Sequence, residues 1–260
     1  MATIPVVRRS PLILHARGTW NAKEDRTASA VWLGVLWLGM FAGFGVDISR
    51  FAHENPPAPA VIYVHASVFT VWLLLLTAQV TLVLRDRVAW HRKLGWVAAG
   101  WACLMAVLGP WAVMASQAVN VHTPAMFDPP FLSINIVDIA GFIALLGWGF
   151  ALRKNPAAHK RMMILATISL ADPGFARFSG WVVPAPHSVV GGFFFVFYGN
   201  AFMILLMAAW DAWKGRLMRS FVIGAAALLA CEFVAAFLYF WGPWKVITTG
   251  WVMAWARMYA

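Results

Sequence analysis

Seven long apolar runs divide the chain, at about 28–48, 61–84, 96–114, 134–152, 161–178, 193–213 and 221–241, each closed by a short polar or basic break. A helix of about 20 apolar residues spans a hydrocarbon core of roughly 30 Å. The pattern therefore predicts an all-α, polytopic membrane protein with seven transmembrane helices. Residues 1–27 read as a cytoplasmic N-terminal segment and 28–260 as one seven-helix transmembrane domain.

Composition agrees with this reading. Hydrophobic residues make up 62% of the chain and charged ones only 12%, about half the charged share of an ordinary soluble domain. The formal net charge of +10 raises the question of nucleic acid. The basic residues, however, fall in short clusters between apolar runs, which is the distribution that sets membrane topology. The partner implied is a lipid bilayer, with no nucleic acid. Cys103 and Cys231 lie singly inside apolar runs and offer neither a disulfide framework nor a paired metal motif, so both read as small core residues.

The basic residues also predict orientation. Arg8, Arg9, Arg17, Lys23 and Arg26 precede the first run. Arg85, Arg87, Arg92 and Lys93 join the second to the third, and Arg153, Lys154, Lys160 and Arg161 join the fourth to the fifth. Lys214, Arg216 and Arg219 join the sixth to the seventh, leaving Arg50, Arg177, Lys245 and Arg257 for the opposite side. The connection "SQAVNVHTPAMFDPPFLS" has no Lys or Arg. The positive-inside rule then gives a cytoplasmic N-terminus and an exoplasmic C-terminus, in a bacterial inner membrane. Trp20, Trp90, Trp96, Trp181, Trp241 and Trp244 near run ends suit interfacial belts, and Gly39 and Gly43 allow a close helix approach.

One short pattern occurs twice. "RDRVAWHRKLGW" and "RKNPAAHKRMMI" each read Arg, five residues, His, then Lys or Arg, each between apolar runs. Two readings compete for His91 and His159: a pair of metal or haem ligands, or anchors at the membrane surface beside lipid phosphates. Their position at cytoplasmic turns favours anchors.

Ionisable groups inside membrane spans are costly and mark function. His65 lies four residues into the second run, about 6 Å below the exoplasmic edge at 1.5 Å per residue. Asp138 shares that depth on the fourth run, Asp172 falls in the outer half of the fifth, and Glu232 is near the middle of the seventh. Asp47 closes the first run, followed by His53 and Glu54. His65, Trp72 and Gln79 recur every seven residues and so form one stripe. Ser169 and Asp172 share a face, Asn135 and Asp138 another, and Pro173 removes the amide that would pair with the Ser169 carbonyl. Imidazole with carboxylates suits Cu, Zn or Fe, which nominates His65, Asp138, Asp172, His53 and Glu54 as metal ligands. A proton or ion path with Glu232 as its deep relay is the second explanation, and a hydrogen-bond network that only holds helices together is the third. No HxxxH, CxxC, GxSxG or phosphate-loop motif marks an enzyme class.

The segments "HASVFTVWLLLLTAQVTLVLRDRVAWHRKLGW" and "HKRMMILATISLADPGFARF" resemble a group of proteobacterial multi-pass membrane proteins with no assigned activity. The shared pattern falls on His65, Trp72, Gln79, His91, Arg92, Gly95, His159, Lys160, Arg161 and Met163, and it implies the fold more than a function. A looser similarity is to the ascorbate-reducible dihaem cytochrome b superfamily. That family uses paired histidines at matched depth on facing helices, and His65 has no such partner here; His122 and His187 fall in loops. The cofactor stays open at this point, with a transition metal (Cu, Zn or Fe) ranked ahead of haem. Two functions follow as expectations: a metal-binding or redox-linked protein with an exoplasmic-side site on His65, Asp138 and Asp172, or an accessory subunit of a larger energy-transducing or electron-transport complex, packing against partner helices or pigments.

Overall fold

The computed structural model describes residues 13–16, 21–53, 57–124, 126–179 and 186–259. Six of its helices are long and apolar enough to cross a membrane, with spans of 22 to 32 residues. They lie in α1 (Ala22–Ala52), α2 (Ala60–Leu84), α3 (Val88–Val119), α4 (Leu132–Ala151, entered through a 3₁₀ turn at Pro129–Phe131), α7 (Val189–Trp213) and α8 (Arg219–Phe240). Large apolar side chains such as Leu38 and Ile48 stand about 70% exposed on the outside. In water this surface would be a heavy penalty; against lipid tails it is the expected finish. The chain is an all-α multi-pass membrane protein in a bilayer setting.

Where the sequence predicts a fifth run at 161–178, the structure has two pieces. α5 (Pro156–Ile168) is 13 residues long, and a single turn, α6 (Asp172–Phe175), follows after a break, running on into a 3₁₀ turn at Ala176–Phe178. The cause is local: "ADPG" puts a helix-starting Asp-Pro and a glycine where the helix would continue, and Pro173 has no N–H for the Ser169 carbonyl. The amides of Leu170 and Ala171 instead reach only three residues back, to Thr167 and Ile168.

Three further differences concern the ends. α1 begins at Ala22, so Lys23, Asp25 and Arg26 sit on its first turns and not in a leading segment. Ile13–Ala16 (β1) pairs antiparallel with Arg216–Met218 (β2), a two-stranded ribbon that ties the N-terminal segment to the α7–α8 connection. A further helix, α9 (Gly242–Tyr259), follows α8 and docks on α3 and on the 129–131 turn, where Trp244 Nε1 donates to the Pro130 carbonyl at 3.0 Å. Cys103 and Cys231 are both exposed on outer helix faces and are not core residues.

α2 with α3, and α4 with α5, form helical hairpins, and α8 packs against both α4 and α7. The core is filled by Leu36, Met105, Phe142, Met162, Leu165, Met203, Met207 and Phe221. The close approach expected of Gly39 and Gly43 is made to α6: a Cβ on Gly43 would collide with the Gly174 carbonyl, and one on Gly39 with the Phe175 ring. Gly199 on α7 faces Phe175 from the other side. Small residues on two helices thus leave the slot into which the broken element fits.

Candidate functional site

The break between α5 and α6 sits against α4, α7 and α8, and there the chain collects its buried acids. Asp138 (α4) is 6% exposed, Asp172 (first residue of α6) 2% and Glu232 (α8) 0%. The carboxyl groups of Asp138 and Asp172 are within hydrogen-bonding reach of each other, and Glu232 is near enough for its charge to act on both. Two ionised carboxylates are acceptors only, so a hydrogen bond between them requires a proton on one. Asn200 (α7), fully buried, donates its amide to Glu232 Oε1 at 2.9 Å. Ser169 Oγ donates to the Ala166 carbonyl at 2.8 Å, filling part of the gap the break leaves.

The cluster is only partly satisfied. Asp138 Oδ1, Asp172 Oδ1, Glu232 Oε2, Asn200 Oδ1 and Asn135 Oδ1 are buried without a hydrogen-bond partner. Each such atom costs on the order of 1–3 kcal/mol if left unmatched. Asp138, Asp172, Asn200 and Glu232 stand on four different elements, α4, α6, α7 and α8.

His65 is not part of this arrangement. It is half-buried on α2, its ring packs on Phe69 with centroids 4.1 Å apart, and its Nδ1 has no partner. No described hydrogen bond or ion pair joins it to Asp138 or Asp172. His53 is exposed just past α1, and Glu54 lies outside the described residues. Among the described residues no three His, Cys, Asp or Glu side chains converge on a metal position. The stripe-mates of His65 do face inward: Trp72 Nε1 donates to Thr167 Oγ1 at 3.3 Å and its ring meets Phe142 edge-on, while Gln79 bridges to α3.

The broken element is held by ion pairs at both ends. At the α5 start, Arg161 is 3% exposed and grips Asp211 (α7) with two nitrogens, at 2.5 and 2.6 Å, while its Nη2 also donates to Asp25 (α1) at 2.9 Å. Lys160 pairs with Asp25 at 2.5 Å, and a water-sized cavity lined by Ser29, Trp32 and Met207 opens beside them. At the α6 end, Arg177 pairs with Asp47 (α1) at 2.7 Å and its guanidinium lies 3.9 Å from the Phe44 ring centroid. Sequence reasoning missed the first of these, because Lys160 and Arg161 look like topogenic charges; the signal available was Asp25 and Asp211, two acids at run ends where acids are scarce.

These features define a class, a multi-pass helical membrane protein with a buried carboxyl cluster at a helix discontinuity. No protein-family model, curated protein or solved structure matches the chain.

Proposed function

We propose that the chain is a seven-crossing protein of a bacterial inner membrane whose Asp138–Asp172–Glu232 cluster takes up and releases protons. The carrying observation is the buried Asp138–Asp172 carboxyl pair at the α5–α6 break, with buried Glu232 close enough for its charge to act on both and one unmatched oxygen on each of the three. Discontinuous helices in membranes are tolerated where they are buried in protein or line a site, and intramembrane acids at such places serve proton or ion movement.

The seventh crossing is the broken element. Its two ends are tied to Asp25 and Asp47, which stand twenty-two residues apart on α1. At 1.5 Å per residue that is about 33 Å, the thickness of a hydrocarbon core. An odd number of crossings, with the basic clusters inside, supports a cytoplasmic N-terminus and an exoplasmic C-terminus. α9, not among the apolar spans, then lies at the outer face. A metal-binding or redox-linked role on His65 has no described bond from that ring to the carboxyls, whereas the proton reading rests on the Asp138–Asp172 contact.

Difference infrared spectroscopy of the reconstituted protein after a pH jump tests the proposal. Carboxylic-acid carbonyl bands should rise and fall with pH, and Asp138→Asn, Asp172→Asn or Glu232→Gln should each remove intensity. If all three variants keep the wild-type bands, the proton role fails and a packing role for the cluster remains.

A further inference from the structure

The duplicated basic boxes are not used by the carboxyl cluster, yet the fold brings them together. His91 near the start of α3 and His159 on α5 meet edge-on, with ring centroids 6.2 Å apart, and Trp96 lies 6.4 Å from Phe150. Both imidazoles are anchored by neighbours. His159 Nδ1 bonds the Gly149 carbonyl at 2.8 Å, and the Gln79 side-chain amide lies between His91 Nδ1 and the Gly95 N–H, donating to the first and accepting from the second when its nitrogen is turned toward His91. Two separate turns therefore form one continuous surface at this end of the bundle.

That surface is a field of uncompensated positive charge. The four acids at this end are already engaged: Glu24 with Lys214, Asp25 with Lys160 and Arg161, Asp86 with Arg26, and Asp211 with Arg161. Arg85, Arg87, Arg92, Lys93, Arg153 and Lys154 are all exposed, and among the described residues no carboxylate pairs with them. Trp90 and Trp96, 59% and 71% exposed, flank the patch with rings of the kind that sit at headgroup depth. Guanidinium and ammonium groups beside an aromatic belt fit the phosphodiester of a lipid, with the acyl chains on the adjoining apolar helix faces.

We propose that the two boxes together form a binding site for an anionic phospholipid headgroup, Arg92 and Lys93 contributing from one hairpin and Arg153 and Lys154 from the other. The site needs the bilayer setting but not the proton role of the carboxyl cluster. Native mass spectrometry in neutral detergent tests it, with phosphatidylglycerol, phosphatidylcholine and inorganic phosphate as probes. Phosphatidylglycerol should be retained about tenfold better than phosphatidylcholine. Combined Arg92→Gln, Lys93→Gln, Arg153→Gln and Lys154→Gln should abolish that preference, and Lys245→Gln with Arg257→Gln should preserve it. Equal retention of both lipids by the wild type, or an unchanged preference in the fourfold variant, overturns the proposal. Competition by inorganic phosphate as strong as by the anionic lipid does so too, because it points to a soluble anion. Should the fourfold variant fail to insert, wild-type protein treated with an arginine-specific dicarbonyl decides the matter: phosphatidylglycerol vesicles must slow modification of Arg92 and Arg153 relative to phosphatidylcholine vesicles, and equal rates reject the site.

Discussion

At Arg161 a charge is withdrawn from both water and lipid, and two aspartates make that tolerable. The guanidinium donates to both oxygens of Asp211 and to Asp25. Removing one partner of a buried pair leaves the others uncompensated, at about 3–5 kcal/mol, while an exposed pair contributes about 0–1 kcal/mol. Arg161→Ala should therefore lower the detergent melting temperature sharply, and Arg26→Ala, whose partner Asp86 is mostly exposed, should barely move it. Equal shifts would deny the hub its role. A second residue gives a pH signature. Asp128, in the connection before α4, accepts from Tyr239 Oη at 3.0 Å, and burial pushes its carboxyl above the usual carboxylate range. A raised folded-state pKa means the folded protein holds the proton more tightly, so stability falls as pH climbs from the unfolded value through the folded one. Asp128→Asn should flatten that decline in thermal melts between acidic and neutral pH; an unchanged slope would assign the decline to another group.

The α5–α6 element depends on glycines more than on its own propensity. α6 is a single turn and could not persist alone; the Gly39 and Gly43 face of α1 and Gly199 of α7 admit it. A Cβ added at Gly174 would stand 2.7 Å from Met40 Sδ and 3.0 Å from the Gly39 carbonyl. Gly43→Ala and Gly174→Ala should each destabilise by about 1–3 kcal/mol through overpacking. Gly34→Ala and Gly45→Ala, with open space around them, should be neutral or stabilise by up to about 1 kcal/mol. Chemical unfolding of the four variants in detergent separates the cases, and a uniform response would mean that α1 and α6 are not in tight contact. The break itself was half legible: "ADPG" announces a lost amide, but nothing local says whether the chain then kinks, stops or restarts.

For the molecule as a whole, the arrangement of ends makes a topological prediction. With Cys103 and Cys231 replaced by alanine, single cysteines at positions 122 and 154 should react with membrane-impermeant reagents from opposite sides of the membrane, and position 154 only from the cytoplasmic side. Labelling of both from one side would remove the seven-crossing arrangement. The pair Asp47–Arg177 sits at the far end from Arg161, so the broken element is fastened at both ends in this state. The Asp47–Arg177 pair is the fastening at the α6 end of that element. Asp47→Asn should therefore speed deuterium exchange at the 169–179 backbone without altering that of α8.

Hydropathy and basic clusters were enough to read a multi-pass helical fold, since lipid demands long apolar helices wherever a chain crosses it, and that demand acts on each segment separately. The costly residues were also legible: Asp138, Asp172 and Glu232 were marked by their apolar runs alone, and all three are buried. Partnership was not. His65 and Asp138 share a depth by residue count, yet depth leaves open the angle around the bundle: His65 stacks on Phe69 of its own helix, while the Asp138 carboxyl lies in reach of Asp172. The hub of Asp25, Lys160, Arg161 and Asp211 escaped for the same reason: charges at run ends look alike whether they face lipid phosphate or one another. Which helix stands beside which is decided by interdigitated side chains and glycine-lined slots, contacts between residues far apart in the chain that no single run contains.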